Sequence, residues 1–240
     1  MRLLLLGHGR MGRLVEALAP EYGAEIVGVI DEFSGPDALS PELIPRADVA
    51  IDFTTAAAVV ANFPRLAEAR INIVIGTTGW SEKESELRAI ASTAGIGVLA
   101  APNFSIGAVL FGEIAARAAE LLAAREDFGA WIHEAHHAAK IDAPSGTALG
   151  LRQRMESAGY ARRIDVSSTR AGHIPGIHTI GFDGPSETIT LTHSVRDRGT
   201  FARGALLAAR WLKGRRGWFT MPDCLGIGAK PESWTGSGGG

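Results

Sequence analysis

The stretch Arg2 to Gly12, RLLLLGHGRMG, decides how the first half of the chain folds. Its four consecutive leucines form a short apolar run, which is typical of a strand covered on both faces. The run leads into G-x-G-x-x-G (Gly7, Gly9, Gly12), and the next residues, RLVEALA, are compatible with a helix. This order is typical of a dinucleotide-binding unit, although a plain strand–turn–helix without a ligand has the same pattern.

A second apolar run, EIVGVID, ends in Asp31, nineteen residues after Gly12. An acidic residue at about this spacing hydrogen-bonds the ribose hydroxyls of a bound dinucleotide, while the glycines let its pyrophosphate approach the amino end of the helix. Glu32 follows Asp31. Because two adjacent acids would repel the 2′-phosphate of NADPH, the sequence favours NADH over NADPH.

Three more apolar runs follow, and each ends in small polar or glycine residues: ADVAIDFTT (47–55), INIVIGTTGW (71–80) and IGVLAAPNFS (96–105). Residues 56–69 between them have helical spacing despite Pro64, and residues 81–95 open with a possible capping box, Ser81 with Glu84, and close at Gly95. The alternation predicts an open parallel sheet, whose ligand lies at the carboxyl ends of the strands.

The pattern changes after residue 105. Residues 105–123 form one long amphipathic helical stretch, and residues 163–170, 178–182 and 187–195 alternate as in a half-solvated antiparallel sheet. The predicted fold class is therefore α/β, with a Rossmann-type doubly wound parallel sheet and a second, mixed α/β domain.

HEAHH, at positions 133–137, has the letters of the zinc-protease signature H-E-x-x-H. Zinc would need His133 and His137 on adjacent turns of one helix. The preceding AWIH favours a strand instead, and a strand would hold the two histidines about 13 Å apart at 3.3 Å per residue. We therefore predict no metal, and a zinc hydrolase remains an alternative that metal analysis would test.

The same segment continues as HHAAKIDAPSGT, which crowds His136, His137 and Lys140 into five residues. Ser145 or a neighbour is expected to cap a new helix, whose first amides belong to Gly146 and Thr147. Cationic donors beside a helix amino end form an anion site suited to a carboxylate, and histidine or lysine can pass a proton there. The alternative is a solvated loop with surface histidines.

Bulk composition excludes several classes of function. The net charge of −2 argues against a nucleic-acid partner, and no apolar run approaches the roughly 20 residues of a membrane span. The single cysteine, Cys224, fits a reducing cytoplasm. The final TGSGGG is interpreted as a flexible tail or an added sequence.

The chain resembles the dihydrodipicolinate reductase family over nearly its whole length. The motifs that carry the resemblance occur in the family's order: GHGRMG, DFT, GTTGW, APNFSIG, EAHHAAKIDAPSGTAL, RAGHIPGIHTIGF and TFARGALLAARWL. The resemblance implies a dinucleotide-binding domain at 1–104, a substrate-binding and tetramerisation domain at 105–198, and a return to the first domain at 199–240. It implies NADH- or NADPH-dependent hydride transfer to C4 of a cyclic dicarboxylate, in a cytoplasmic homotetramer.

The resemblance also assigns roles to residues. His136 and Lys140 match the family's catalytic proton donors. The substrate carboxylate contacts match His137, Gly146 and Thr147. The cofactor contacts match Gly7, His8, Gly9, Arg10, Met11, Gly12, Asp31, Gly76, Thr77, Thr78, Ala101, Pro102, Asn103 and Phe104.

Two other readings stay open at this point. Another two-domain nicotinamide oxidoreductase, such as an amino-acid dehydrogenase, would need a different substrate loop from HHAAKIDAPSGT. A nucleotide-sensing regulator that kept the fold should bind NADH without turnover and would have had no need to keep His136 or Lys140.

Overall fold

The computed structural model describes residues 1–34, 39 and 47–227 of the chain. The chain divides into two compact units, Met1–Ser105 with the chain from Gly199 onward, and Ile106–Arg198. The predicted tail TGSGGG lies outside the described residues. Among the helices that the structure describes, none is both long and apolar enough to cross a bilayer.

The elements are labelled in chain order. The strands are β1 Arg2–Leu6, β2 Glu25–Ile30, β3 Val49–Asp52, β4 Asn72–Ile75, β5 Gly97–Ala100, β6 Gly129–His136, β7 Ile164–Arg170, β8 Ile177–Asp183, β9 Thr188–Ser194 and β10 Gly217–Phe219. The α-helices are α1 Arg10–Leu18, α2 Ala56–Glu68, α3 Glu84–Ala94, α4 Ile106–Leu122, α5 Gly146–Ser157, α6 Gly199–Leu212 and α7 Met221–Leu225.

The first unit contains a six-stranded parallel sheet in the order β10-β5-β4-β3-β1-β2. Leu4 and Leu6 lie on the face that packs against Phe63 of α2 and Leu87 of α3, and strand pleating turns Leu3 and Leu5 to the other face. All four leucines of β1 are at most 1% exposed, as expected for a strand covered on both faces. This architecture confirms the predicted Rossmann-type sheet.

The strand order reverses next to β1, because the chain first runs to β2 on one side and then returns to β3 on the other. Such a switch point opens a crevice at the carboxyl ends of β1 and β3. Gly7 follows β1, and Asp52 ends β3. The fold therefore places the predicted glycine loop at the edge of the sheet where ligands bind in this architecture.

The second unit contains a four-stranded mixed sheet in the order β7-β6-β8-β9. β8 is antiparallel to β6 and β9, as the alternation predicted for residues 178–182 and 187–195, whereas β7 is parallel to β6, so the antiparallel prediction for residues 163–170 was wrong. The reason is the connection: α5 lies between β6 and β7, and a helical crossover joins parallel strands. Ile132 and Ile180 pack with Phe111 of α4 and Leu151 of α5 in the core of this unit.

The amino end of α3 also differs from the prediction. Residues Ser81–Lys83 form a short 3-10 helix, α3 begins at Glu84 after Lys83, and no side chain caps it. The predicted Ser81–Glu84 capping box is therefore wrong, because the 3-10 turn separates Ser81 from the start of α3. Gly95 ends α3 in the left-handed conformation with φ 67°, as predicted.

Candidate active site

No side chain fits at Gly7 or Gly12, because the backbone of the glycine loop packs directly against neighbouring backbone. A Cβ on Gly7, which has φ 89°, would lie 2.4 Å from the Phe53 carbonyl oxygen. A Cβ on Gly12 would lie 2.0 Å from the Gly7 carbonyl oxygen. These two glycines of the motif are therefore required for close approach between β1, α1 and β3.

Gly12→Ala is expected to destabilise the first unit by about 1–3 kcal/mol, the usual cost of overpacking a tight site. Gly9→Ala is the matched control, since a Cβ on Gly9 would meet nothing within 4 Å. Thermal unfolding of both variants tests the difference. Equal melting temperatures for the two would contradict this account of Gly12.

The amino end of α1 can hold an anion. Gly9 is the N-cap residue and supplies no side-chain cap, so the first amides of the helix, from Arg10 and Met11 onward, are not satisfied by a capping side chain. Open space beside Gly9 leaves room for a group to approach these amides. His8 turns aside, with Nε2 2.7 Å from Glu16 Oε2. This end of α1 therefore fits a pyrophosphate, because it combines uncapped amides and the positive end of the helix dipole with open space beside Gly9.

Asp31 lies directly after β2 and forms a tight turn. Its Oδ1 accepts hydrogen bonds from the Phe33 amide and the Ser34 hydroxyl, both at 3.0 Å. The Ser34 hydrogen bond, followed by the backbone amides, lowers the pKa of Asp31 despite the opposing effect of desolvation. The side chain is thus a fixed carboxylate, which suits an acceptor for ribose hydroxyls.

Phe53, to which the sequence assigned no role, contacts three segments that were predicted to bind the cofactor: those that follow β1, β4 and β5. Besides its carbonyl contact with Gly7, its ring would lie 2.1 Å from a Cβ on Gly76 and stacks edge-on with Phe104 at 6.0 Å. The adjacent Asp52, which is 2% exposed, accepts from Thr77 Oγ1 at 2.9 Å and from Thr54. Burial raises the pKa of Asp52 despite these hydrogen bonds.

The remaining predicted cofactor segment follows β5. Ala101 donates its amide to Ile75 O at 3.1 Å, and Asn103 Oδ1 accepts from the Ser105 amide at 2.8 Å. Pro102 is exposed, whereas Phe104 is 2% exposed. Thr78, after β4, is exposed. These residues line the carboxyl edge of the sheet beside β3 and β4, next to the predicted glycine loop.

In the second unit, His133 to His136 lie on β6 and His137 follows it, so this segment is a strand that enters a loop, as predicted. Pleating places Glu134 and His136 on the face with Ile132, and His133 on the opposite face. His133 contacts Ser167 of β7 there, with Nδ1 2.9 Å from the hydroxyl oxygen. The segment thus lacks the helical geometry of the zinc signature, and the described residues hold no cluster of potential metal ligands.

Glu134 is fully buried and ionised. Arg170 of β7 donates to both carboxylate oxygens, at 2.7 and 2.9 Å, and the Ser145 amide donates at 3.2 Å. Its Oε2 also contacts Nδ1 of His136. Burial opposes ionisation, but the hydrogen bonds from Arg170, Ser168, His136 and Ser145 outweigh it and lower the pKa of Glu134 to about 2.

His178 of β8 stands directly opposite Glu134 in the strand register. Its Nε2 lies 3.1 Å from Ser145 Oγ, and its ring meets the His136 ring edge-on at 5.1 Å. Burial, followed by the electrostatic effect of the neighbouring His136, lowers the pKa of His178 to about 4. Sequence reasoning missed Arg170 and His178, although both lie in the RAGHIPGIHTIGF motif.

Acid should destabilise this cluster in two stages. The pKa of His178 falls from 6.5 to about 4 on folding, so stability is lost as the pH drops through that window, by up to ~3 kcal/mol. Glu134, lowered from 4.5 to about 2, adds a further loss below pH 4.5. Melting temperatures between pH 7 and 4 test the first stage. His178→Gln should reduce the fall in melting temperature between pH 7 and 4, whereas His173→Gln, at an exposed position, should leave that fall unchanged. An equal fall in the two variants would contradict the assignment to His178.

The loop between β6 and α5 carries the other predicted residues. Lys140 Nζ donates to Asp142 Oδ1 at 2.6 Å, and its amide donates to His137 O at 3.1 Å. The structure therefore pairs the Lys140 ammonium with Asp142 and not with either histidine. His137 is half-buried and directly follows the end of β6. The loop nevertheless keeps the imidazole of His137 and the ammonium of Lys140 on one short segment.

Ser145 caps α5 as predicted, since its side chain accepts from the Ala148 amide at 3.2 Å. Gly146 is exposed and Thr147 is half-buried in the first turn. A Cβ on Gly146 would meet nothing within 4 Å, which leaves space beside the first amides. The Gly146 amide donates to the Asp142 carboxylate, so this end of α5 already holds a carboxylate of the chain itself.

Comparison with known proteins places both halves of the chain in one family. The family model described as dihydrodipicolinate reductase, N-terminus, matches residues 1–104, and the one described as dihydrodipicolinate reductase, C-terminus, matches residues 107–225. The chain belongs to the dihydrodipicolinate reductase family. The resemblance seen in the sequence is thereby confirmed.

Individual relatives agree with this family. A 4-hydroxy-tetrahydrodipicolinate reductase from Afipia carboxidovorans is 39% identical over 96% of this chain and 98% of its own. One from Christiangramia forsetii is 33% identical over 94% and 98%. A dipicolinate-bound dihydrodipicolinate reductase from Paenisporosarcina sp. TG-14 has the same fold, with a TM-score of 0.81, 24% identity and coverage of 92% of this chain and 97% of that one.

Proposed function

We propose that the chain reduces 4-hydroxy-tetrahydrodipicolinate to tetrahydrodipicolinate with NADH or NADPH, in the biosynthesis of diaminopimelate and lysine. Family membership over both halves of the chain supports the reaction. The observation that carries it here is the segment from His136 to Thr147, which brings imidazoles, an ammonium and the first amides of α5 onto one stretch of chain, where Lys140 and the Gly146 amide both donate to the Asp142 carboxylate. A dicarboxylate with two negative charges needs such a set of donors.

The residues take the following parts. The carboxylate of the substrate accepts from His137 and from the amides of Gly146 and Thr147. Bound NADH or NADPH would supply a hydride to C4, and the C4 hydroxyl would leave as water. One proton balances this hydride, and His136 and Lys140 are its proposed donors, because either can neutralise the negative charge that develops on the conjugated system.

The first unit is proposed to hold the cofactor. The amides at the start of α1, with Gly9 and its open space, would bind the pyrophosphate, and Gly7 and Gly12 would hold the loop in place. Asp31 would accept from the ribose hydroxyls. Gly76, Thr77, Thr78 and residues 101–104 would line the nicotinamide end of the crevice. This assignment is supported by the position of these residues at the switch point.

NADH is proposed as the preferred cofactor because two adjacent acidic residues, Asp31 and Glu32, follow β2 and would repel the 2′-phosphate of NADPH. Glu32→Arg should raise kcat/KM for NADPH relative to NADH by about tenfold or more, since a guanidinium would bind the 2′-phosphate. The exposed Glu25→Arg, at the other end of β2, is the control and should leave the ratio unchanged. A lower KM for NADPH than for NADH in the unaltered chain would contradict the preference.

The reaction is tested by supplying the unstable substrate in place, from pyruvate and aspartate semialdehyde with the preceding synthase. Oxidation of NADH, followed by its absorbance, should require both the synthase and this chain, and NADPH should be run in parallel. Oxidation that needs no synthase product, or none at all although NADH binds, would contradict the proposed reaction. The second outcome would favour a nucleotide sensor or another substrate.

A homotetramer in the cytoplasm, built through residues 105–198, is part of the proposal and follows from the family resemblance. Size-exclusion chromatography with light scattering would measure the assembly directly. A monomer at the concentration of the assay would contradict this part alone.

A further inference from the structure

Glu134 and His136 face the same side of the sheet because they are two residues apart on β6. Oε2 of Glu134 contacts Nδ1 of His136. An ionised carboxylate can only accept a hydrogen bond, so Nδ1 must carry a hydrogen in this contact. The geometry therefore fixes which nitrogen of His136 holds the permanent proton.

Glu134 is itself held rigidly and kept charged. Two nitrogens of Arg170 donate to its two oxygens, and Arg170 also donates to the Asp142 carbonyl oxygen at 2.5 Å and to Thr169 O at 2.8 Å. The Ser145 amide, at the start of α5, supplies a further donor. The carboxylate is 0% exposed, so neither water nor a rotamer change can release it cheaply.

The other edge of the His136 ring is left open. A Cβ on Gly176, whose φ is 147°, would lie 3.2 Å from Nε2, so a glycine at this position keeps side-chain atoms away. Nε2 makes no hydrogen bond to any residue that the structure describes, and the His136 side chain is 11% exposed. One nitrogen is thus bound to protein, and the other is available to a ligand.

We infer that Glu134 is the positioning residue of His136: it locks the imidazole in the Nδ1–H form and presents Nε2 as the atom that transfers the proton. The inference rests on the proposed function, in which His136 serves as a proton donor. When Nε2–H gives its proton to the substrate anion, the ring keeps the proton on Nδ1, and Glu134 remains a carboxylate. Arg170 acts one step further out, by holding Glu134 in place.

The tautomer of His136 is measured by ¹⁵N NMR of the full-length chain, labelled at histidine, without substrate. Neutral His136 should show the Nδ1–H tautomer, and Glu134→Gln should remove that preference because an amide can donate as well as accept. The Nε2–H tautomer in the unaltered chain would overturn the inference. This measurement does not depend on turnover. Failure of the chain to reduce the substrate would therefore contradict the proposed reaction but not the inference about Glu134 and His136.

Kinetics test the positioning role. Glu134→Gln should lower kcat by about 10–100-fold with little change in substrate KM, as loss of an orienting partner usually does. The basic limb of the pH profile should move to lower pH, because the carboxylate no longer stabilises protonated His136. Glu134→Asp should restore part of kcat. The control Glu120→Gln, at an exposed pair with Arg117, should change nothing.

Among the described residues, other charged or titratable groups around this pair include Arg170 on β7, which donates to Glu134, and His178 on β8, whose ring meets that of His136 at 5.1 Å. Lys140, on the loop after β6, acts electrostatically on His178. None of them is altered in Glu134→Gln, so a shifted limb reports the removed carboxylate. A fall in kcat with an unmoved pH profile would show a merely structural role and overturn the inference.

Discussion

Lys140→Ala is expected to lower kcat by about 100-fold or more while leaving the KM for NADH nearly unchanged. General acid catalysis contributes about 10²–10⁴-fold, and the ammonium of Lys140 is one of two proposed proton donors. Its side chain is 23% exposed and its partner is Asp142, which is itself largely exposed, so removing it should cost little stability. The measurement is steady-state kinetics with substrate supplied by the synthase.

The matched control for this variant is Lys83→Ala. Lys83 is paired with an exposed glutamate, Glu86, at 3.0 Å, and lies in the 3-10 helix before α3. This variant should retain the kcat of the unaltered chain. An unchanged kcat in Lys140→Ala would remove Lys140 from the catalytic residues and leave His136 as the sole proposed proton donor.

Arg170→Met is expected to destabilise the second unit by about 3–5 kcal/mol. Its loss would leave the buried carboxylate of Glu134 without its charge partner, and breaking a buried pair from one side costs this much. Native-state hydrogen exchange at the amides of β6, β7 and β8 reports the free energy of unfolding of this sheet. Activity should fall as well, because Glu134 would no longer hold His136.

Two further variants sharpen this result. Arg163→Met removes an arginine at the start of β7 whose side chain is 86% exposed and paired with Asp165, so it should change stability by no more than about 0.5 kcal/mol. Combining Arg170→Met with Glu134→Gln should recover part of the loss, since no buried charge then remains. A loss under 1 kcal/mol in Arg170→Met alone would contradict the account of this ion pair.

The first unit could be predicted well because its signals are local. Within eleven residues, the sequence predicts a buried strand from Leu3 to Leu6 and a tight turn from the glycines at 7, 9 and 12. The clash of a Cβ on Gly12 with Gly7 shows why the spacing matters. The role of Phe53 was missed, because its contacts join β3 to segments that follow β1, β4 and β5.

In the second unit, the loop from His136 to Thr147 could be predicted because its polar groups are contiguous. The strand geometry of HEAHH also followed from the sequence. The partners of Glu134 could not be predicted, since Arg170 is 36 residues away and meets it only through the parallel pairing of β6 and β7. The sequence did not predict this pairing, because alternation in one strand does not reveal which strand lies beside it or in which direction.

The central claim is that this chain transfers a hydride from a nicotinamide to carbon in the substrate. It is tested most directly with NADH that carries deuterium at the transferable position of the nicotinamide, mixed with the chain and the synthase product. The account predicts tetrahydrodipicolinate that contains one deuterium at C4, identified by mass spectrometry and NMR. A product without deuterium, or deuterium retained entirely on the nucleotide, would contradict the claim.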